Sequence, residues 1–191
     1  MKKSLGAKTI VYPTPVFVVG SYDTEGRPNI MTASWGGVCC SQPPSLAVSI
    51  RKERHSYENI IASGGFTVNV PSVAQVSAAD YAGIYSGRDE DKFAALGLTP
   101  VRSDLVNAPY IEEFPLILEC ALRQTVEIGI HTQFIGEILD VKIDPEMLDD
   151  DGNPDPAKIR PFAYAPGEGG YWAIGERVGQ SFSAGKKQAD G

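Results

Sequence analysis

The sequence predicts a mainly β fold, an antiparallel barrel with helices inserted at its ends, in a single domain spanning residues 1–191. Apolar residues alternate or run continuously over several short segments that end at glycine or proline, which is typical of strands. Only short helical segments lie between them, without an internal repeat or a regular strand–helix–strand alternation. A chain of 191 residues, 42% hydrophobic and 21% charged, is large enough to bury one sizeable core. In all, six or seven strands and two to four short helices are expected.

Four strands and one helix are expected in the first half of the chain. These strands are 17–22, 29–38, 46–50 and 66–70. The first two form a hairpin across "DTEGRP", in which Gly26 supplies the positive φ. Strict alternation predicts that the third strand is half-buried, after a break at Pro43 and Pro44. Next, "SYENIIASG" predicts a helix with Ser56 as its N-cap and Gly64 at its end.

The second half is expected to hold two short helices followed by long strands. Residues 73–87 have helical spacing, and "RDEDKFAALGL" begins with acids and ends near Gly97. The long strands are 114–129 and 131–144, and they meet around Gly129. Gly136 interrupts the alternation of the second as a β-bulge does. A last short strand lies in "YAPGEGGYWAIGERVG", and the tail from about 180 to 191 is expected to be mobile.

Composition excludes several classes of function. A net charge of −7 disfavours binding to nucleic acids or anionic membranes, which need a broad basic face. No apolar run reaches the ~18–20 residues of a membrane span, and no signal peptide is recognisable. Three cysteines with an adjacent pair do not form a disulfide framework, so we expect a reducing, cytoplasmic setting. Two histidines and no C-x-x-C make a metal site improbable.

One cluster of cations stands out in this acidic chain. Arg51, Lys52, Arg54 and His55 lie between a predicted strand and a predicted helix. A helix N-terminus favours an anion, arginines bind phosphate oxygens bidentately, and Ser56 adds a hydroxyl. The alternative is a solvated basic loop. Neither a G-x-G-x-x-G after a strand nor a P-loop is present, so any phosphate site is of another kind.

Other candidates have plain structural alternatives when they are taken singly. Lys92 lies among acids in "DEDKF", as an exposed helix lysine does, and His131 begins an apolar run, as a core histidine does. Cys39 and Cys40 are expected to be buried thiols rather than redox centres. Trp35 lies between small residues, which leaves the backbone open to close approach by a flat ligand.

Four motifs taken together resemble a known family. They are "RPNIMTASW", "PPSLAVSIRKERHSYENI", "SGRDEDKF" and "HTQFIGEI". In this order and spacing they resemble the flavin reductase-like family of FMN-binding split β-barrels, and within it the flavoredoxins, from about residue 13 to 171. The resemblance implies a split barrel with a Greek-key core, a homodimer and one FMN per subunit near the dimer interface.

The same resemblance implies roles for individual residues. The residues implied to line the isoalloxazine ring are Asn29, Thr32, Ala33, Ser34, Trp35, Cys40 and Ser41. Those implied to hold the phosphate are Arg51, His55 and Ser56. Lys92 would reach the flavin or its phosphate, His131 would lie against the ring as the catalytic residue, and Tyr164 would pack nearby. Many NAD(P)H-dependent relatives have "GDH" where this chain has "GIH", so nicotinamide use is not implied.

These expectations leave three functions open. The first is an electron carrier of the flavoredoxin type, which exchanges electrons with a redox partner protein through bound FMN. The second is an NAD(P)H:flavin oxidoreductase that supplies reduced flavin to a partner. The third is a flavin-binding module without turnover. The chemistry in the first two belongs to the cofactor.

Overall fold

The computed structural model describes residues 1–186 of the chain. The tail that was expected to be mobile lies partly outside the described residues, because 187–191 are not among them. In the described range, no helix is long and apolar enough to cross a membrane.

The described residues form twelve β-strands, four α-helices and two 3-10 turns. The strands are β1 (Thr14–Pro15), β2 (Phe17–Tyr22), β3 (Pro28–Ala33), β4 (Gly36–Ser41), β5 (Pro44–Arg51), β6 (Gly65–Val70), β7 (Pro100–Arg102), β8 (Pro109–Ile111), β9 (Leu116–Ile128), β10 (His131–Ile143), β11 (Phe162–Ala165) and β12 (Gly170–Ala173). The helices are α1 (His55–Ser63), α2 (Val76–Ile84), α3 (Lys92–Leu96) and α4 (Pro156–Ile159). The 3-10 turns are Val73–Gln75 and Pro145–Met147. The predicted count of strands was too low, because β1, β7, β8 and β11 are too short to show a period.

Seven strands form one curved sheet in the order β3-β2-β6-β9-β10-β5-β4, and every pairing is antiparallel. Strands β3 and β4 are the two edges, so the barrel is not closed. Next to the last β4–β5 pair, the Ser49 amide donates to the Trp35 carbonyl at 2.7 Å and extends that pairing by one residue. The predicted antiparallel barrel with inserted helices is confirmed. Two small sheets, β1-β11-β12 and β7-β8, complete the fold.

Two apolar clusters hold the barrel and its helices together. Val19 on β2 packs with Phe66 and Phe134 in the barrel interior. Its neighbour Val18 faces the other way and packs with Phe93 of α3 in a second cluster, to which α2 also contributes. Strand β2 is therefore buried on both faces, which fixes the position of β3 beside it.

Glycines fall where the chain needs them. Gly26, Gly64, Gly97 and Gly129 all have positive φ, as their turn and helix-end positions require. The predicted bulge at Gly136 is confirmed by a register shift between Ile135 and Gly136 against β9. A Cβ on Gly136 would lie 2.6 Å from the Phe66 Cζ atom, so the bulge also admits a core ring.

Two expectations about strands were wrong. Residues 29–38 do not form one strand, because β3 ends at Ala33 and β4 begins at Gly36 on the opposite edge of the sheet. Ser34 and Trp35 form the crossing between the edges. The strand over 46–50 is not half-buried: Leu46, Ala47 and Val48 are all buried, because helix α1 and β4 add cover beyond the alternating pattern.

Candidate functional site

Two cavities adjoin at the opening between β3 and β5. The first, which we call the basic cavity, has a volume of about 120 Å³ and lies between β3, the start of α1 and the loop before α3. The second, which we call the split cavity, has a volume of about 150 Å³ and lies between β3 and β5. Met31 and Arg54 line both cavities, so the two form one elongated depression.

Helix α1 points its N-terminus at the basic cavity. Its N-cap is Arg54, with extended φ −74° and ψ 134°, and no side chain caps the first turn. The prediction that Ser56 is the N-cap was therefore wrong. Ser56 lies inside the first turn, and its Oγ accepts a 2.8 Å hydrogen bond from Asn29 Nδ2. An uncapped first turn leaves backbone N–H groups for an anion.

Two buried polar atoms at this cavity have no hydrogen-bond partner among the described residues. They are Asn29 Oδ1 and His55 Nδ1. Burial, followed by the nearby charge of Arg88, lowers the pKa of His55 and so favours the neutral form of its ring. Buried polar atoms are ordinarily satisfied, so an unpaired acceptor and an unpaired ring nitrogen on one cavity wall fit a polar ligand.

Lys92 is the most unusual charge at the site. Its side chain is only 3% exposed, and its Nζ donates to the carbonyls of Ala82 and Tyr85, each at 3.2 Å. None of the ion pairs among residues 1–186 includes it. Burial, with a smaller effect from Arg54, lowers its pKa to about 8. An ammonium has three donors, so one N–H remains for a group in the cavity.

The split cavity combines small side chains on one wall with larger polar and apolar side chains around it. Residues Thr32–Trp35 form one wall, and Ile50, Arg51 and His131 face them. Thr32 Oγ1 donates to the Ala79 carbonyl, which holds the end of β3 against α2. A wall of three small residues, Thr32–Ser34, beside a half-buried Trp35 suits the face of a flat ligand.

The cations of the predicted cluster separate in the structure. Arg54 and His55 line the basic cavity, whereas Arg51 lines the split cavity and its Nε pairs with Glu53 at 2.7 Å. Lys52 pairs with Glu127 at 2.7 Å and behaves as a solvated surface charge.

Three predicted site residues lie away from both cavities. Cys40 and Ser41 are exposed on the edge strand β4. Tyr164 lies on β11 and packs against Tyr171, with their ring centroids 5.9 Å apart. The expectation that Cys39 and Cys40 are buried was wrong, because both are exposed at the sheet edge.

The roles that the sequence prediction drew from the resemblance left out six lining residues of the basic cavity, and two of them, Arg54 and Gly87, bear on ligand binding. Arg54 belongs to the cation cluster but received no role from the resemblance. Gly87 lies in the loop before α3, where an added Cβ would come within 1.9 Å of Asn29 Oδ1. Its place inside "SGRDEDKF" was the only sequence signal for Gly87, since its importance depends on a contact across 58 residues of chain.

His131 lies at the rim of the split cavity rather than inside the core. It is half-buried at the start of β10, where its register partners are Arg51 on β5 and Ile128 on β9. The neighbouring Ile130 is 66% exposed in the turn between β9 and β10. A histidine at a cavity rim can contact a ligand, which a core histidine cannot.

Comparisons with known proteins identify the family to which this fold belongs. A family model described as "Flavin reductase like domain" matches residues 9–170. The chain is similar to the solved structure of flavoredoxin of Desulfovibrio vulgaris (Miyazaki F), with 57% identity, a TM-score of 0.94 and coverage of 97% of this chain and 100% of that one. It is also similar to flavoredoxin from Methanosarcina acetivorans, with 30% identity, a TM-score of 0.90 and coverage of 97% and 98%.

A third solved structure extends the comparison beyond flavoredoxins. An FMN-binding protein from Thermus thermophilus is 25% identical, with a TM-score of 0.79 and coverage of 94% of this chain and 97% of that one. The split-barrel architecture predicted from the four motifs is thereby confirmed. On the family match over residues 9–170, this chain belongs to the flavin reductase-like family and is similar to the flavoredoxins within it.

Proposed function

We propose that the protein is an FMN-binding redox protein of the flavoredoxin type, with the phosphate in the basic cavity and the ring in the split cavity. The observation that carries the placement is Lys92, a buried cation that lacks a carboxylate partner among the described residues. Burying an unpaired ammonium is costly unless an anion completes its surroundings. When bound, FMN supplies the redox chemistry, accepting and releasing one or two electrons.

The other polar groups of the basic cavity fit the rest of the same ligand. The free first-turn N–H groups of α1 and the Arg54 guanidinium can donate to phosphate oxygens. His55 can donate from Nδ1 while its ring is neutral. Asn29 Oδ1 lacks a donor and can accept a hydrogen bond from a ribityl hydroxyl. The two buried polar atoms of the basic cavity that lack a partner, Asn29 Oδ1 and His55 Nδ1, would both be satisfied by this ligand.

In the split cavity, the chain's task is to hold a flat ring and shield part of it from water. The wall Thr32–Trp35 approaches through backbone and small side chains, and Arg51 places a positive charge at the opposite rim. That charge is paired with Glu53 at 2.7 Å, so Arg51 would present an ion pair, not a free cation, to a bound ring. The function proposed first is that of an electron carrier, and the alternative is an NAD(P)H:flavin oxidoreductase.

Titration of the FMN-loaded protein with NADH and NADPH under anaerobic conditions decides between these two functions. The carrier predicts negligible bleaching by either nucleotide, with fast reoxidation by an acceptor protein after photoreduction. Rapid stoichiometric bleaching by NADH or NADPH would establish the reductase instead. Photoreduced protein that passes no electrons to any acceptor protein would support a binding module.

The protein is expected to be a homodimer. Large apolar side chains are exposed on the barrel sheet, including Val38 on β4 (73% exposed), Ile128 at the end of β9 (53%) and Ile130 in the turn between β9 and β10 (66%). Exposed apolar groups of this size mark interaction surfaces. A partner subunit here would cover β4, and would give Cys40, Ser41 and Tyr164 a route to the flavin. Light scattering at micromolar concentration is expected to give twice 20.5 kDa. A stable single-chain mass would contradict this proposal.

His131→Ala is expected to change the potential of bound FMN or its rate of reduction by dithionite, with little loss of fold stability. The side chain lies half-buried at the cavity rim, so its removal leaves a small cavity and costs less than the ~2–5 kcal/mol of a large core truncation. Thermal unfolding and stopped-flow bleaching are the measurements. A variant that melts much lower yet keeps the wild-type potential and rates would show that His131 is structural.

A further inference from the structure

A third cavity adjoins the basic cavity and takes no part in the proposed binding of FMN. Its volume is about 270 Å³, and it shares Asn29, His55 and Gly87 with the basic cavity. The shared wall includes Asn29 Oδ1, a buried acceptor without a partner among the described residues. A ligand that extends beyond a phosphate in the basic cavity would therefore enter this space, which we call the outer cavity.

The outer cavity is acidic. Its lining includes four carboxylates, Asp23, Asp89, Glu90 and Asp91, against two arginines. Both arginines are already engaged elsewhere in the chain. Arg27 pairs with Asp23 at 2.8 Å and with Glu25 at 3.4 Å. Arg88 pairs with Glu58 at 3.3 Å and donates to the Glu53 carbonyl at 2.7 Å.

The basic cavity and the outer cavity differ in the sign of the charges that line them. The basic cavity presents Arg54, the buried Lys92 and a helix N-terminus against a single acid, Glu53. Across the shared wall, Asp89 and Glu90 have no basic partner among the ion pairs of residues 1–186. The basic cavity attracts a first phosphate, and the carboxylates of the outer cavity repel a second phosphate attached to it. Such repulsion between like charges lowers the affinity for the wrong ligand.

We propose that the outer cavity sets flavin selectivity, and that Asp89 and Glu90 exclude FAD in favour of FMN. This inference rests on the proposed placement of the FMN phosphate in the basic cavity. FMN ends at that phosphate, whereas FAD continues from it into a second phosphate and an adenosine. The volume of the outer cavity would admit much of that extension, so charge rather than closure is the obstacle.

The test compares the affinities of the apoprotein for FMN, FAD and riboflavin, measured by quenching of flavin fluorescence. The variant is Asp89→Asn with Glu90→Gln, which keeps the shape of both side chains and removes two charges. Asp91 is left alone because its carboxylate caps α3 at the Ala94 amide, and Asp23 because it pairs with Arg27. Asp150→Asn with Asp151→Asn is the matched control, since these residues lie in an exposed turn and line neither cavity.

In the wild type, FMN is expected to bind at least a hundredfold more tightly than FAD. The Asp89/Glu90 variant is expected to bind FAD at least tenfold more tightly than the wild type does, with an unchanged affinity for FMN, so the ratio of the two affinities falls. The control variant is expected to leave this ratio unchanged. Raising the salt concentration should narrow the wild-type ratio, because exposed charges are screened. A wild-type protein without preference for FMN, or a variant with an unchanged ratio, would overturn the inference.

The affinity for riboflavin shows whether a negative result contradicts only the selectivity proposal or also the proposed phosphate site. FMN that binds far more tightly than riboflavin, with an FMN-to-FAD ratio that the variant does not move, leaves the phosphate placement standing and overturns the selectivity proposal alone. Equal affinities for FMN and riboflavin would show that the phosphate does not bind in the basic cavity, and would contradict both proposals.

Discussion

Lys92→Met is expected to weaken FMN binding by ten- to a hundredfold while leaving riboflavin binding nearly unchanged. The ammonium is buried beside the basic cavity with one N–H free, so the variant loses one charge-assisted hydrogen bond to the phosphate. Such a bond contributes about 1.5–3 kcal/mol. Binding isotherms of both flavins to the apoprotein measure it, and an equal loss for both ligands would place Lys92 at the ring instead.

The apoprotein of the same variant should be close to the wild type in stability, because removal of the buried charge is offset by loss of the donor to the carbonyls of Ala82 and Tyr85. Methionine has a similar length and removes a buried cation that has no carboxylate partner in the described chain. Chemical denaturation of the two apoproteins measures the free energy of unfolding. A variant that loses FMN because it is destabilised would show a clearly lower free energy of unfolding than the wild type, so the two explanations can be distinguished.

Lys92 also predicts how FMN affinity depends on pH. Its pKa is lowered to about 8 in the free protein by burial, with a contribution from Arg54. A bound phosphate stabilises the protonated form and raises this pKa, so binding takes up a proton above pH 8. Affinity is therefore complete below about pH 8 and falls as the pH rises above it. In Lys92→Met this fall should be absent, and riboflavin should not show it.

Gly87→Ala is expected to destabilise the apoprotein and to weaken FMN binding together. The added Cβ would lie 1.9 Å from Asn29 Oδ1 and 3.1 Å from His55 Cδ2. Asn29 is 6% exposed, so it cannot swing into solvent, and its 2.8 Å bond to Ser56 must break. Forcing atoms into a packed site costs about 1–3 kcal/mol. The free energy of unfolding and the FMN affinity are measured on the same preparation.

Gly175→Ala is the matched control for this substitution, because nothing lies within 4 Å of its added Cβ. It should leave both quantities at wild-type values. If Gly87→Ala also kept wild-type stability and FMN affinity, the Asn29–Ser56 contact would not be what shapes the basic cavity.

The sequence predicted the barrel and its long strands because those features are periodic and local. Turn glycines such as Gly26 and Gly129 were likewise readable, since a positive φ at a hairpin is a property of a few neighbouring residues. The cation cluster before α1 was found for the same reason. Its division between two cavities was not predictable, because Arg51 ends a strand and Arg54 precedes a helix, and only the fold separates them.

The features that a local pattern could not predict are those made by distant segments. Lys92 follows three acids in "DEDK" and has the pattern of an exposed ion-paired lysine, yet α3 packs against β3 and buries it against the carbonyls of Ala82 and Tyr85. Ser56 was predicted as a cap from its position, but Asn29 of β3 engages its hydroxyl. Cys39 and Cys40 were predicted to be buried from their residue type, and an edge strand exposes them.

The central claim is that this chain holds FMN by its phosphate in the basic cavity, and a flavin titration of the apoprotein tests it most directly. Isothermal calorimetry and the visible spectrum should both saturate at about one FMN per chain. FMN should bind more tightly than riboflavin by at least the ~1.5–3 kcal/mol of one charge-assisted hydrogen bond. An apoprotein that shows no heat of binding and no change in the flavin spectrum with added FMN, or that binds riboflavin as tightly as FMN, would contradict the account.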